Sequence, residues 1–346
     1  MFFKERFKLS SSVNQYVLAY FVFVLLFYGI RYTADWAPYT QMIEHPELSP
    51  DLLFRFLAER VRGEFGFSFI YQLHIVLMGG VYLLLLKRTV GCPFLAVIYA
   101  IDIYLFMANQ IRFYLAWPLM LLAILSFYRK EFVAFALLAF LAVMSHKSLI
   151  LLLPAALVCD WALRRWHFSR ALIILTGITL ATGLLTWVDF GSGFWLGQLQ
   201  VYQEMGKDAT FIGAVYNQLP YLVCLALVVS VHRRVLKVFP NVLTEDGIYR
   251  YLLVLSLTPL LFVGFSFYVM VFSQRFAQSM ILIWFMYFYW CYRKYSDAPL
   301  KEGISIASVV VFLINPFFAC VYALIKGYYF NCSEIFKALL SYSLFS

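Results

Sequence analysis

Apolar runs long enough to cross a membrane recur along nearly the whole chain, and that pattern decides what it can fold into. A helix satisfies its own backbone hydrogen bonds, so about 20 apolar residues can cross a hydrocarbon core about 30 Å thick, whereas irregular backbone cannot. Such runs lie near 14–31, 67–86, 92–108, 112–128, 132–145, 148–163, 171–188, 214–231, 251–272, 276–292 and 304–325, with a weaker twelfth at 333–346. Hydrophobic residues make up 64% of the 346 and charged residues 13%, against about 45–50% and about 25% in a soluble domain. The expected fold is all-α, a polytopic transmembrane bundle of about 11–12 spans forming a single integral membrane domain over 1–346. Lys4, Arg6 and Lys8 precede the first run, but no small-residue cleavage site follows it, so it reads as a retained span.

The net charge of +9 would suggest nucleic acid in a soluble protein. Here its position makes it a topology signal, and no nucleic-acid partner is expected. With the N-terminus in the cytoplasm, 17 of the 27 Lys and Arg fall inside, and the outward segments hold ten bases and ten acids. The expected location is the bacterial cytoplasmic (inner) membrane, crossed many times. Two outward loops stand out, 32–66 and 189–213. The first holds Ser49-Pro50-Asp51, a helix start with proline at the first helical position, followed by Leu52, Leu53, Phe56, Leu57 and Val61. That spacing predicts an amphipathic helix, either lying in the outer interface or packed on the bundle. The second loop is Gly-rich, with Trp195, Tyr202 and Glu204, and suits either a sugar-binding lid or an interfacial anchor.

Three basic positions break the topology rule. Arg112 follows Asn109-Gln110 at the fourth span, His146 and Lys147 open the sixth, and Arg275 follows Ser273-Gln274 at the tenth. In this frame each begins a helix running inward, where unpaired N–H groups and the helix dipole already favour an anion. A cation placed there is explained if an anion joins it, and the Arg fork fits phosphate oxygens. Three such ends gathered near one point would hold a diphosphate without a metal. The alternative is that Arg112 and Arg275 snorkel to head groups or pair with loop carboxylates such as Asp35 and Glu64. His146 is the outward group whose ordinary pKa suits general-base work at neutral pH, although a turn histidine can be satisfied by backbone. Deeper in the spans, a His74–Asp102 contact would relieve the cost of a buried charge. The six cysteines are scattered without a CxxC pair, and no nucleotide-binding, serine-nucleophile or zinc-helix motif is present. Neither metal nor cofactor is expected.

The landmarks Asp35-x-x-x-Tyr39, Glu64-Phe65-Gly66-Phe67, Arg112-Phe113-Tyr114-Leu115-Ala116, Met144-Ser145-His146-Lys147-Ser148 and Gln274-Arg275-Phe276, taken in order, resemble those of EpsG/Wzy-type polysaccharide polymerases. The resemblance covers most of residues 30–290, and Lys147 departs from it where a small or polar residue is expected. It implies transfer of an oligosaccharide from undecaprenyl diphosphate to the next lipid-linked repeat unit at the outer face of the membrane. The partners would be the lipid-linked donor and acceptor, membrane lipid and, in some pathways, a chain-length regulator. Arg112, Arg275 and Lys147 would bind the diphosphate. His146 would take the acceptor proton, with Glu64 or Asp35 as the alternative base, and Gln110, Gln274, Tyr39 and Tyr114 would support the site. A lipid-linked oligosaccharide flippase and an O-antigen ligase are the competing readings.

Overall fold

The computed structural model describes residues 2–28, 36–61, 63–187, 211–263, 270–295 and 298–325. The weak span 333–346, Asp35 and nearly all of the 189–213 loop lie outside them. Every regular element among the described residues is helical. The chain divides into two compact units, Met1–Leu151 with Pro316–Ser346, and Leu152–Asn315.

The first unit contains α1 (Phe2–Phe27), α2 (Trp36–Glu44), α3 (Leu52–Ala58), α4 (Gly63–Arg88), α5 (Phe94–Asp102), α6 (Tyr104–Asn109), α7 (Ile111–Tyr128) and α8 (Phe132–Ser145), with 3-10 turns at Pro46–Leu48 and Lys147–Leu151. Its centre is α7, buried from Ile111 to Ser126 apart from Arg112. Flanking helices bury one stripe and leave the other bare. On α1, Ala19, Phe23 and Phe27 are buried at four-residue spacing, while Val17, Leu18, Phe21 and Leu25 are about half exposed or more. On α8, Phe132, Val133, Leu137 and Phe140 are each at least 59% exposed. Water would penalise that much bare apolar surface, whereas lipid tails accept it. By length and composition, Gly66–Arg88, Ile111–Tyr128 and Gln218–Val238 can each cross a membrane, and Val13–Phe27, Phe132–Ser145, Phe168–Ala181 and Gly247–Val263 are shorter apolar helices.

Gly79 allows α1 and α4 to approach, since a Cβ there would lie 3.1 Å from Phe23 and 3.3 Å from Tyr20. At the far end of α4, Arg88 grips Glu131 with bonds of 2.6 and 2.8 Å, and Arg129 donates to the Arg88 carbonyl at 2.6 Å. Those bonds close the α7–α8 hairpin, whose turn puts Lys130 in the left-handed region at φ 60°. The Arg88 guanidinium also holds the Glu131 carboxyl below the usual carboxylate range. Arg88, Arg129 and Glu131 thus share one end of the unit, as the charge pattern requires.

The second unit contains α9 (Leu152–Arg165), α10 (Phe168–Trp187), α11 (Phe211–Val238), α12 (Val242–Glu245), α13 (Gly247–Leu257), α14 (Pro259–Val263), α15 (Met270–Ser279), α16 (Ile281–Lys294) and the start of α17 (Ala298–Ile325). Its core is α13 against α16, where Tyr249 and Tyr287 hydroxyls meet at 3.0 Å and His232 joins Tyr249 at 2.7 Å. Several expected spans are interrupted. The 92–108 run breaks at Ile103, 251–272 breaks at Thr258-Pro259, and 276–292 breaks from the preceding helix at Met280. Proline accounts for the second break, because it has no N–H to continue the ladder.

Asp246 fastens one end of this unit. Its Oδ1 caps α13 by accepting the N–H groups of Ile248 and Tyr249 at 3.0 Å, and its Oδ2 accepts from Trp290 at 2.8 Å, Lys294 at 2.9 Å and the Tyr295 hydroxyl. Burial pushes this carboxyl up, but the donors, led by Tyr295, outweigh it and hold the pKa below the ordinary 3.8. A depressed folded pKa gives stability that is whole above the unfolded value and is lost as pH falls through the folded one. Asp246→Ala is expected to cost about 3 kcal/mol, read as a lower unfolding midpoint in detergent at pH 7. Below about pH 4 the wild-type midpoint should fall toward that of the variant.

Candidate functional site

Opposite the Arg88 end of the first unit, α7 starts beside the break that follows α8. Gln110 is the N-cap of α7 and has non-helical backbone, with no side-chain cap bond. Arg112 is therefore the second residue of a helix, as its sequence context predicts. The break after α8 also falls where expected, with His146 extended and a 3-10 turn beginning at Lys147.

A carboxylate joins these two termini. Asp51 Oδ2 accepts from Arg112 Nη1 at 2.7 Å, and Oδ1 lies 3.3 Å from the Lys147 N–H. Ser49 Oγ is 3.4 Å from the same guanidinium nitrogen. The Asp51 side chain is 2% exposed and that of Arg112 is 14%. The guanidinium lies 5.0 Å from the Tyr39 ring centre and 5.2 Å from that of Phe54, within cation–π range. Two aromatic walls and one carboxylate thus fix its direction.

His146 stands beside this pair. Its ring meets Phe113 edge-on at 5.2 Å, and its Nδ1 lies 2.8 Å from Ser148 Oγ. If Nδ1 carries the proton and donates to Ser148, Nε2 presents a lone pair and can act as a base. With the opposite tautomer, Nε2 is a donor. The Ser148 hydroxyl can accept or donate, so the contact fits either tautomer.

Arg112, Lys147, His146 and Tyr39 gather in one place, but not all in the roles expected. Lys147 reaches the carboxylate through its backbone N–H, while its half-buried ammonium makes no ion pair among the described residues. Tyr114 is fully buried in the helix core, which suits packing better than substrate contact. Gln110 is half-buried, and its Oε1 is buried without a partner among the described residues. Glu64 lies in the first turn of α4, and Gln274 lies in α15, but their side chains fall outside the described residues, as does Asp35 altogether. In the Glu64-Phe65-Gly66-Phe67 landmark, Gly66 has a physical reason: a Cβ would come within 2.9 Å of Val61.

Three expectations need correction. Arg275 does not open a helix, because α15 runs from Met270 to Ser279 and places it mid-helix. The Val271-Phe272-Ser273-Gln274 stretch has neither Gly nor Pro to stop a helix, so no free N–H groups cradle an anion there. Arg275 is half-buried, with Nε buried and unpartnered among the described residues. The 32–66 segment is not a loop with one helix but α2, a 3-10 turn and α3 in succession. On α3 the residues buried against the bundle are Phe54 and Ala58, while Leu52 and Phe56 stay at least 50% exposed. Third, His74 is held through Nδ1 by the Ile70 carbonyl of its own helix at 2.7 Å, with its ring beside Phe54.

Asp51 was missed as a site residue because Ser49-Pro50-Asp51 reads as a helix start. It does occupy the N-cap position of α3 but makes no side-chain cap bond. Its carboxylate is used on Arg112 and Lys147 instead.

The fold and this terminus-to-terminus arrangement define a multi-pass helical membrane protein with a buried ion pair at a helix start. The chain belongs to the EpsG family, whose profile matches residues 14–333, nearly its whole length. No curated protein and no solved structure matches it.

Removing one partner of a buried pair leaves a stranded charge. Asp51→Ala is therefore expected to destabilise the protein by about 3–5 kcal/mol, and Asp51→Ala/Arg112→Ala by less than the sum of the single changes. Unfolding midpoints of the four proteins in detergent should give a coupling of at least about 1 kcal/mol, and strict additivity would show that the pair contributes nothing.

Proposed function

We propose that the chain is a polysaccharide polymerase that joins undecaprenyl-diphosphate-linked oligosaccharide repeat units at the outer face of the bacterial cytoplasmic membrane. Membership of the EpsG family carries this reading, and the gathering of Arg112, Lys147 and His146 at one end of the first unit supports it. The N-terminus is cytoplasmic in this reading, which puts that end outside and the Arg88–Glu131 end inside.

The acceptor hydroxyl oxygen attacks the anomeric carbon of the donor sugar. As the new glycosidic bond forms, the bond from that carbon to the diphosphate oxygen breaks, and its electron pair leaves with the polyprenyl diphosphate. The hydroxyl proton passes to Nε2 of His146, whose Nδ1–H is held by Ser148. A diphosphate leaves readily once its charge is stabilised, so the main demand is for fixed cationic donors in a poorly solvated place. Arg112 supplies one, oriented by Asp51 and the two rings. The Lys147 ammonium supplies further positive charge in this reading. Asp51 acts as a positioning residue, holding Arg112 and the Lys147 backbone in register.

Surface polysaccharide resolved on a gel tests this directly. Arg112→Lys keeps a charge opposite Asp51 but loses the planar fork, and should cut long chains by at least about tenfold while single-repeat glycan and protein level persist. His146→Ala and Lys147→Ala should do the same. Loss of all glycan, single repeats included, would point to a flippase, and unchanged chain lengths in all three variants would overturn the polymerase mechanism.

A further inference from the structure

The second unit has a groove of about 570 Å³ bounded by α10, α11 and α14. Leu222, Leu225 and Val229 of α11 form one wall, with Leu172 of α10 and Leu260 of α14 opposite. Arg233, Arg234 and Lys237 close one end. On α11, residues 222, 225, 229, 233 and 237 follow a three- and four-residue spacing, so the apolar wall and the cations lie on one continuous stripe. From Leu222 to Arg233 the helix rises about 16 Å, which matches one leaflet of a hydrocarbon core about 30 Å thick.

These three cations differ from those that the chain pairs with carboxylates. Arg88, Arg112, Arg164, Arg250 and Lys294 each have a carboxylate within 2.9 Å. Arg233, Arg234 and Lys237 are exposed, and none has an acid within 4.0 Å among the described residues. Glu302, which shares a neighbouring groove with Arg234, is not within that distance either. The three charges sit in the last turns of α11, where the negative end of the helix dipole favours cations. They therefore form a positive site with its own apolar channel and, among the described residues, no acid within ion-pair distance.

We propose that this groove binds one anionic phospholipid, its phosphate on Arg233, Arg234 and Lys237 and an acyl chain along the leucine wall. An acyl chain gains little by moving from bulk lipid to an apolar groove, so selectivity comes from the headgroup charge. Guanidinium forks and an ammonium suit a phosphate ester and offer nothing comparable to a zwitterionic lipid, whose own cation opposes them. The site does not depend on the polymerase reading. Only its assignment to the cytoplasmic leaflet rests on the topology proposed above.

The test uses the purified full chain, titrated in detergent with phosphatidylglycerol, phosphatidylcholine or a polyprenyl monophosphate, with bound lipid counted by native mass spectrometry. Wild type should retain phosphatidylglycerol in preference to the other two. Arg233→Gln/Arg234→Gln/Lys237→Gln should weaken that retention on the order of a hundredfold. Leu225→Trp, which fills the groove and leaves every charge in place, should weaken it too, and so controls against misfolding of the triple variant. Equal retention by wild type and Leu225→Trp would reduce the three cations to a general headgroup belt and overturn the proposal. Preference for the polyprenyl phosphate, or for no lipid, would overturn it as well. Long-chain glycan from the triple variant is a separate readout, so lost lipid binding with intact polymerisation leaves the functional reading standing.

Discussion

Hydrocarbon offers no hydrogen bonds, so a chain that lives in it must satisfy each helix break from within. Several breaks here carry hydroxyls that place their own protons on nearby carbonyls. Ser145 Oγ donates to the Leu141 carbonyl at 2.8 Å just before the His146 break, and Thr258 Oγ1 to Val254 at 2.9 Å just before Pro259. Thr179 reaches from α10 to the Leu260 carbonyl at 2.6 Å beyond the same proline. Ser279 covers the Arg275 and Phe276 carbonyls at 2.7 and 3.0 Å, one residue before the Met280 break. These side chains let a mostly apolar sequence change direction. Polar chemistry can then be placed at the turns, where backbone groups are already partly exposed.

The Asp51–Arg112 pair follows from the same constraint applied to charge. A guanidinium that is 14% exposed needs a fixed counter-ion, and a carboxylate that is 2% exposed needs it equally. Their bond ties the connection between α2 and α4 to the start of α7 and, through the Lys147 N–H, to the break after α8. Three segments distant in sequence are thereby held at one point. The opposite end of the unit is closed in the same way by Arg88 and Glu131.

Much of this was legible in the sequence, and the failures are specific. Apolar runs and the distribution of Lys and Arg marked most of the helices, because lipid imposes both signals on the chain directly. The His146 break and the start of α7 at Arg112 were legible because polar residues interrupt apolar runs there. Arg275 was placed at a helix start for the same reason, wrongly, since Ser273-Gln274 lies within a helix that nothing stops before Ser279. Asp51 was read only as part of a helix start, because Ser49-Pro50-Asp51 has that pattern. Which of the ten outward acids would face Arg112 depends on how residues 36–61 fold back, and no local signal carries that. The interruptions at Ile103 and Met280 were equally silent, having neither Gly nor Pro to announce them.

Pairing also bears on how the site would meet the diphosphate of the proposed reaction. Asp51 and Arg112 together are close to neutral, so the pair contributes direction more than net attraction. A guanidinium held by a carboxylate and two aromatic rings has little left to reorganise when a substrate arrives, which is where a preorganised donor gains over a mobile one. Net positive charge must then come from groups that the protein has not neutralised. In the first unit the Lys147 ammonium is such a group, with no ion pair among the described residues. On this argument Lys147 is an asset to the proposed site, since it restores the charge that Asp51 removes. In the proposed function Arg112 and Lys147 would divide the task between orientation and attraction.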